Sequence, residues 1–181
     1  MGRMSRLGSV IFLSRSISMP NYDFLILNHN EFECLTRDLL QKKEGCFVES
    51  FAEGRDGGID MRFAPVNGGE SVVQVKRYKD LGSLMRNLKK EVPKVVRLAP
   101  SRYILSVSVD LTPPNKAQIR QMFEPFIKSD EDILGISDLN NLIGQFPDVE
   151  KRYYKLWLAS MEKPCVRDPR SPSAVDPRKQ V

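Results

Sequence analysis

The chain has 181 residues, 41% of them hydrophobic and 28% charged, which is enough to bury the core of one ordinary domain and too apolar for wholesale disorder. Its formal net charge of +5 favours an anionic partner, and its three cysteines, Cys34, Cys46 and Cys165, fit neither a disulfide framework nor a CxxC zinc site and point to a reducing compartment. No run of about 18 apolar residues is present, so no membrane-spanning helix is expected.

Residues 1–20, MGRMSRLGSVIFLSRSISMP, carry Arg3, Arg6 and Arg15 and several serines but no acid, the composition of a transit peptide. The competing reading starts translation at Met19, because MPNYDFLILN runs directly into the first helix, and leaves the upstream residues disordered or mis-assigned. Asn28 with Glu31 predicts a capping box, and Phe32, Leu35, Leu39 and Leu40 then recur at helical spacing to about Lys43, before Gly45. Residues 46–52 alternate loosely as a strand, EGRDGG is turn material, and a second strand is expected over 59–63. APVNGG is another turn, followed by a third strand over 71–77. Leu84, Leu88, Val92 and Val95 predict a helix from Leu81 that Pro93 should kink or divide. YILSVSV, residues 103–109, is a strong strand, and helices are expected over 115–127, 137–143 and 147–161. In the last of these Val149, Tyr153, Leu156 and Trp157 share one side; Trp157 is read as core, although Tyr153, Tyr154 and Trp157 also have the rings to stack on bases. Residues 162–181 are rich in proline and arginine and read as a linker or tail. The order of elements predicts an α/β domain over 21–161 with a mixed sheet.

One position in this pattern asks for chemistry. Lys76 lies within the third strand, where an unpaired, desolvated ammonium loses several kcal/mol. Alternation places Gln74 and Lys76 on one face and Val73 and Val75 on the other, taken as the core face. Asp60 ends the GGID turn, where strand pairing brings its carboxylate beside Gln74 and Lys76. The Asp60 carboxylate, the Gln74 amide oxygen and the Val75 carbonyl are hard oxygen ligands suited to Mg²⁺, with Lys76 beside a bound water poised to attack a phosphodiester. Glu33, next to Phe32 at the edge of the buried helix face, offers a second carboxylate. The plain alternative is a turn aspartate and an exposed edge-strand lysine. Arg77 and Lys79 flank the strand end, and Arg86, Lys90, Lys94 and Arg97 form a stripe on the next helix; phosphate contacts and a solvated face fit these equally. Arg55 either meets a nucleic-acid backbone or pairs with Asp56. His29, the only histidine, leaves no ligand set for zinc and receives no role.

The ordered combination EFECLTRDLL, GRDGGIDMRF and VVQVKRYKD resembles the Mrr-type restriction endonuclease catalytic domain, a branch of the PD-(D/E)xK nuclease superfamily, over residues 28–109. The resemblance implies a restriction-endonuclease-like α/β fold with a central mixed sheet of about four to five strands flanked by helices. By the family pattern Asp60, Gln74, Lys76 and Glu33 form the active site, with Gln74 where the wider superfamily has an acid, a replacement common in the Mrr branch. The resemblance further implies Mg²⁺ as cofactor with Mn²⁺ able to substitute, duplex DNA as substrate, a homodimer or two separate nicks, and restriction of foreign or modified DNA in a bacterial cytoplasm. DLNNLIGQFPDVEKRYYKLWLAS also resembles the end of nuclease domains at the N-terminus of bacterial defence NTPases, implying an NTPase partner or fused domain. Two other readings stand beside the nuclease: a catalytically silent nucleic-acid-binding module, and an effector that cuts only after assembly with an NTPase.

Overall fold

The structure is a computed structural model and describes residues 21–51, 59–64 and 68–161. The expected terminal extensions, 1–20 and 162–181, and the turn bearing Arg55 lie outside the described residues. After a 3₁₀ turn at Phe24–Ile26, the Asn28 side chain accepts from the Glu31 amide and the Glu31 carboxylate accepts from the Asn28 amide. This closes the capping box that opens α1 (His29–Glu44), and Gly45 ends the helix in the left-handed region, at φ 66°. Then follow β1 (Glu49–Ser50), β2 (Met61–Phe63) and β3 (Ser71–Lys76), with β2 antiparallel to β1 and β3 antiparallel to β2. The crossover helix α2 (Leu81–Leu98) returns the chain so that β4 (Arg102–Val107) lies parallel to β3. The chain finishes with α3 (Pro113–Met122), β5 (Ile133–Leu134), which pairs parallel to β4, α4 (Ile136–Gln145), α5 (Pro147–Glu150) and α6 (Tyr154–Met161). The five strands stand in the order β1-β2-β3-β4-β5, a mixed sheet flanked by helices as expected for a restriction-endonuclease-like α/β fold.

Strand β3 is central, and helices cover both of its faces. Val73 and Val75 pack with Phe32, Leu35 and Leu39 of α1 and with Leu139 and Ile143 of α4. Val72 packs on the other face with Leu84 and Leu88 of α2 and Ile119 of α3. Burying such a side chain stabilises by roughly 1.5–3 kcal/mol, so both layers hold β3 in register. Only one face of this strand was expected to be core, yet Gln74, on the second face, is only 2% exposed.

Several boundaries move for local reasons. Helix α2 runs unbroken through Pro93, and Lys89, whose carbonyl loses its helical partner there, is solvent-exposed. Helix α3 starts earlier than expected because Pro113 and Pro114 occupy its first turn, where a missing amide costs nothing, and it stops before Pro125. The long helix expected over 147–161 divides into α5 and α6. Between them the Arg152 and Tyr153 amides bond three residues back, to the carbonyls of Val149 and Glu150, and the Tyr153 hydroxyl donates to Asp38 of α1. Trp157, expected in the core, is 37% exposed. Among the described residues no helix is long and apolar enough to cross a membrane.

Arg102, at the start of β4, ties α1 to the entry of β5 by bonding both Glu44 (3.0 Å) and Asp132 (2.8 Å). Burial would raise the Glu44 pKa, but Arg102 and Lys43 together hold it below its ordinary value of 4.5. A folded-state pKa below the unfolded one contributes stability above the ordinary value, and that stability is lost as pH falls through the folded value. Thermal unfolding midpoints are therefore expected to drop between about pH 5 and pH 3, and to drop less in Glu44→Gln; parallel pH slopes for the two proteins would refute this.

Candidate active site

The site is assembled where β2 begins beside the middle of β3. The Asp60 amide donates to the Val73 carbonyl, which fixes the entry to β2. Its carboxylate accepts from the Val75 amide at 2.6 Å. In an extended strand the N–H and C=O of one residue point to the same side, so the Val75 carbonyl also faces Asp60. The Lys76 carbonyl faces the opposite way and accepts from the Ser108 amide just beyond β4. Glu33, Cys34 and Arg37 of α1 meet Phe51 and Asp60 around a cleft of about 420 Å³. Glu33 is half-buried there, with its carboxylate 3.0 Å from His29 Nε2 one turn earlier.

On the other side of β3, Gln74 and Lys76 run under α2. The Gln74 side-chain nitrogen donates to Glu91 at 3.1 Å, and its oxygen accepts from the Tyr103 hydroxyl. These two partners determine which end of the amide is which, because a carboxylate accepts and the phenol donates. Burial, then the negative charges of Glu91 and Asp60, push the Tyr103 phenol well above its ordinary pKa, so it stays a donor. Lys76 Nζ lies 4.0 Å from Glu91, and Lys94 Nζ lies 3.0 Å from the same carboxylate oxygen. Burial would raise the Glu91 pKa, but hydrogen bonds from Lys94 and Gln74 and the charge of Lys76 bring it below the ordinary carboxylate value. Two pairs thus flank one strand: Glu33 with Asp60, and Gln74 with Lys76. Val75 links them.

Residues 25–103 match the family described as Restriction endonuclease, the Mrr catalytic type. This segment is similar to the Mrr-type restriction endonuclease domain. The matched span contains Glu33, Asp60, Gln74 and Lys76. The "Uncharacterized protein y4cD" of Sinorhizobium fredii (strain NBRC 101917 / NGR234) is 38% identical over 141 residues, 77% of this chain and 22% of that protein. The chain therefore spans about a fifth of that relative's length. No solved structure matches.

The basic residues of this segment are placed unequally. Lys79, Arg86, Lys90 and Arg97 are exposed. Lys94 turns in to Glu91, and Arg77 donates to the Leu25 carbonyl, tying the end of β3 to the 3₁₀ turn before α1. Among the described residues no cluster of three or more His, Cys, Asp or Glu is placed to hold a metal ion. Mg²⁺ does not require one: it is usually bound by one or two carboxylates, with waters and substrate phosphate completing its shell. Asp60, Glu33 and the Val75 carbonyl supply hard oxygens of that kind, so this donor set fits Mg²⁺. Glu91, Tyr103 and Arg37 were not singled out from the sequence. Glu91 had a signal, since Leu84, Leu88, Glu91 and Val95 follow helical spacing and put the acid on the buried stripe.

Proposed function

We propose that the chain is a metal-dependent endonuclease that hydrolyses phosphodiester bonds of duplex DNA. The observation that carries this reading is the Asp60 carboxylate bonded to the Val75 amide, between Gln74 and Lys76, in a cleft shared with Glu33. Asp60, Glu33 and the Val75 carbonyl are the residues to hold Mg²⁺ or Mn²⁺. A divalent ion bound there would neutralise phosphate charge and make a bound water a stronger nucleophile at neutral pH. Lys76 orients the attacking water and offsets negative charge developing on the phosphate. Gln74, clamped between Glu91 and Tyr103, keeps the strand geometry around Lys76 fixed. Lys79, Arg86, Lys90 and Arg97 suit contact with the phosphate backbone, which positions the duplex without reading its sequence.

The domain responsible is proposed to be 21–161, flanked by an extension at 1–20 and a linker or tail at 162–181. Restriction of foreign or modified DNA in a bacterial cytoplasm is the role this reading favours, with cutting of both strands requiring a homodimer or two nicks. The much greater length of the Sinorhizobium relative supports the version in which the nuclease works beside a further domain; an NTPase partner is the form of it that the sequence resemblance favours.

Supercoiled plasmid incubated with the protein tests the reading. Nicked and linear forms are expected with Mg²⁺ or Mn²⁺ and none in excess chelator. Cleavage that persists in chelator would remove the metal-dependent mechanism, and plasmid binding without cleavage under any divalent ion would favour the silent binding module.

A further inference from the structure

We propose that Glu91 is a positioning residue of the nuclease centre, holding the Gln74 amide and the Lys76 ammonium in place from helix α2; this rests on the nuclease reading above. Glu91 is 5% exposed and sits among Leu84, Leu88 and Val95 on the buried stripe of α2. An aliphatic residue would continue that stripe, and exchanging a buried ion pair for packed apolar groups is often neutral or stabilising. Stability of the fold therefore gives little reason for an acid here. The partners of Glu91 do give a reason.

One carboxylate oxygen accepts from Gln74 Nε2 at 3.1 Å. The other faces Lys94 Nζ at 3.0 Å and Lys76 Nζ at 4.0 Å. Two members of the QxK pair on β3 are thus held by one side chain from the neighbouring layer. Lys76 has a flexible four-carbon stem, and a fixed negative charge near its tip narrows the volume that the ammonium samples. Gln74 is fixed at both ends, since Tyr103 donates to the amide oxygen that Glu91 leaves facing away. Lys94 pairs with the same carboxylate oxygen, which offsets the charge of a side chain that is itself nearly buried. Glu91 need touch neither DNA nor metal to act; it sets where Lys76 stands when they bind.

Glu91→Gln tests this, because it keeps the shape and removes the charge. The expected result is a fall in kcat for Mg²⁺-dependent plasmid cleavage of about 10- to 100-fold, the usual effect of losing a supporting partner, with KM for DNA changed less than about twofold. Glu91→Asp, which keeps the charge, is expected to recover part of the loss, and carries the test alone if Glu91→Gln fails to fold. A variant that folds and cleaves with wild-type kcat overturns the proposal. The second readout is NMR of the lysine ε-methylene groups, with Lys76 assigned by Lys76→Met. Its resonance is expected to move toward that of an exposed lysine in Glu91→Gln. If the wild type does not cleave DNA at all but the resonance moves, the positioning stands and the nuclease reading falls. An unmoved Lys76 resonance overturns the positioning whatever the activity.

Discussion

Replacing Lys76 by methionine is expected to lower the rate of DNA cleavage by about 10²- to 10³-fold, the range for removing one group that stabilises developing charge, while the unfolding midpoint stays near that of the wild type. The two effects separate because of where the side chain ends. Methionine keeps a long apolar stem beside Glu91 of α2, so little packing is lost. Glu91 loses a charge at 4.0 Å but keeps Lys94 and Gln74, so no buried carboxylate is stranded. Asp60→Asn is expected to act in the same direction for a different reason. Asparagine still offers an oxygen to the Val75 amide, which preserves the start of β2, but it is a poorer ligand for a hard divalent cation. Alanine at Asp60 would confound the comparison by removing that acceptor. Both variants are measured by single-turnover cleavage of plasmid at saturating protein, alongside urea unfolding. Wild-type rates in Lys76→Met would remove Lys76 from the mechanism.

What the sequence made legible was local or encoded in order. The capping box of α1 needs only Asn28 and Glu31, and the apolar spacing that follows is satisfied within one helix, so both were readable. The ordered run containing Glu33, Asp60, Gln74 and Lys76 pointed to the family whose description matches residues 25–103. What was not legible depends on layers meeting. Gln74 was placed with Lys76 on a face away from the core because alternation says nothing about a second helical layer; in the structure Glu91 and Tyr103 each bond its amide. Helix α6 was read as continuous with α5 because Tyr153 fits the periodic pattern, whereas its hydroxyl is taken by Asp38, distant in sequence. Strand β5 has two residues, too few for alternation to appear, and exists because it pairs with Leu105 and Ser106 of β4.

The largest stability loss is expected at Asp132. This carboxylate is 1% exposed and has both oxygens engaged: one accepts from the Arg102 guanidinium at 2.8 Å, the other from the backbone amides of Lys128 at 2.8 Å and Ser129 at 3.2 Å. Asp132→Ala removes all three acceptor contacts and leaves Arg102 with Glu44 alone, so a loss of about 3–5 kcal/mol is expected, as when one partner of a buried charge pair is deleted. Against a typical total of about 5–15 kcal/mol, that loss shifts the urea midpoint by a large fraction. Asp132→Asn separates the two halves of the effect. One amide end accepts but the other donates, so asparagine can satisfy either Arg102 or the two backbone amides, not both. An intermediate loss of about 1–3 kcal/mol follows. If both variants unfold within about 0.5 kcal/mol of the wild type, the carboxylate is not what fixes the junction between β4 and β5. Arg102 immediately precedes Tyr103, whose hydroxyl holds Gln74, so a loosened junction reaches the site through β4. Cleavage by Asp132→Ala, assayed below its unfolding midpoint, is accordingly expected to fall less than in Lys76→Met, because the reacting groups remain and only their support has softened.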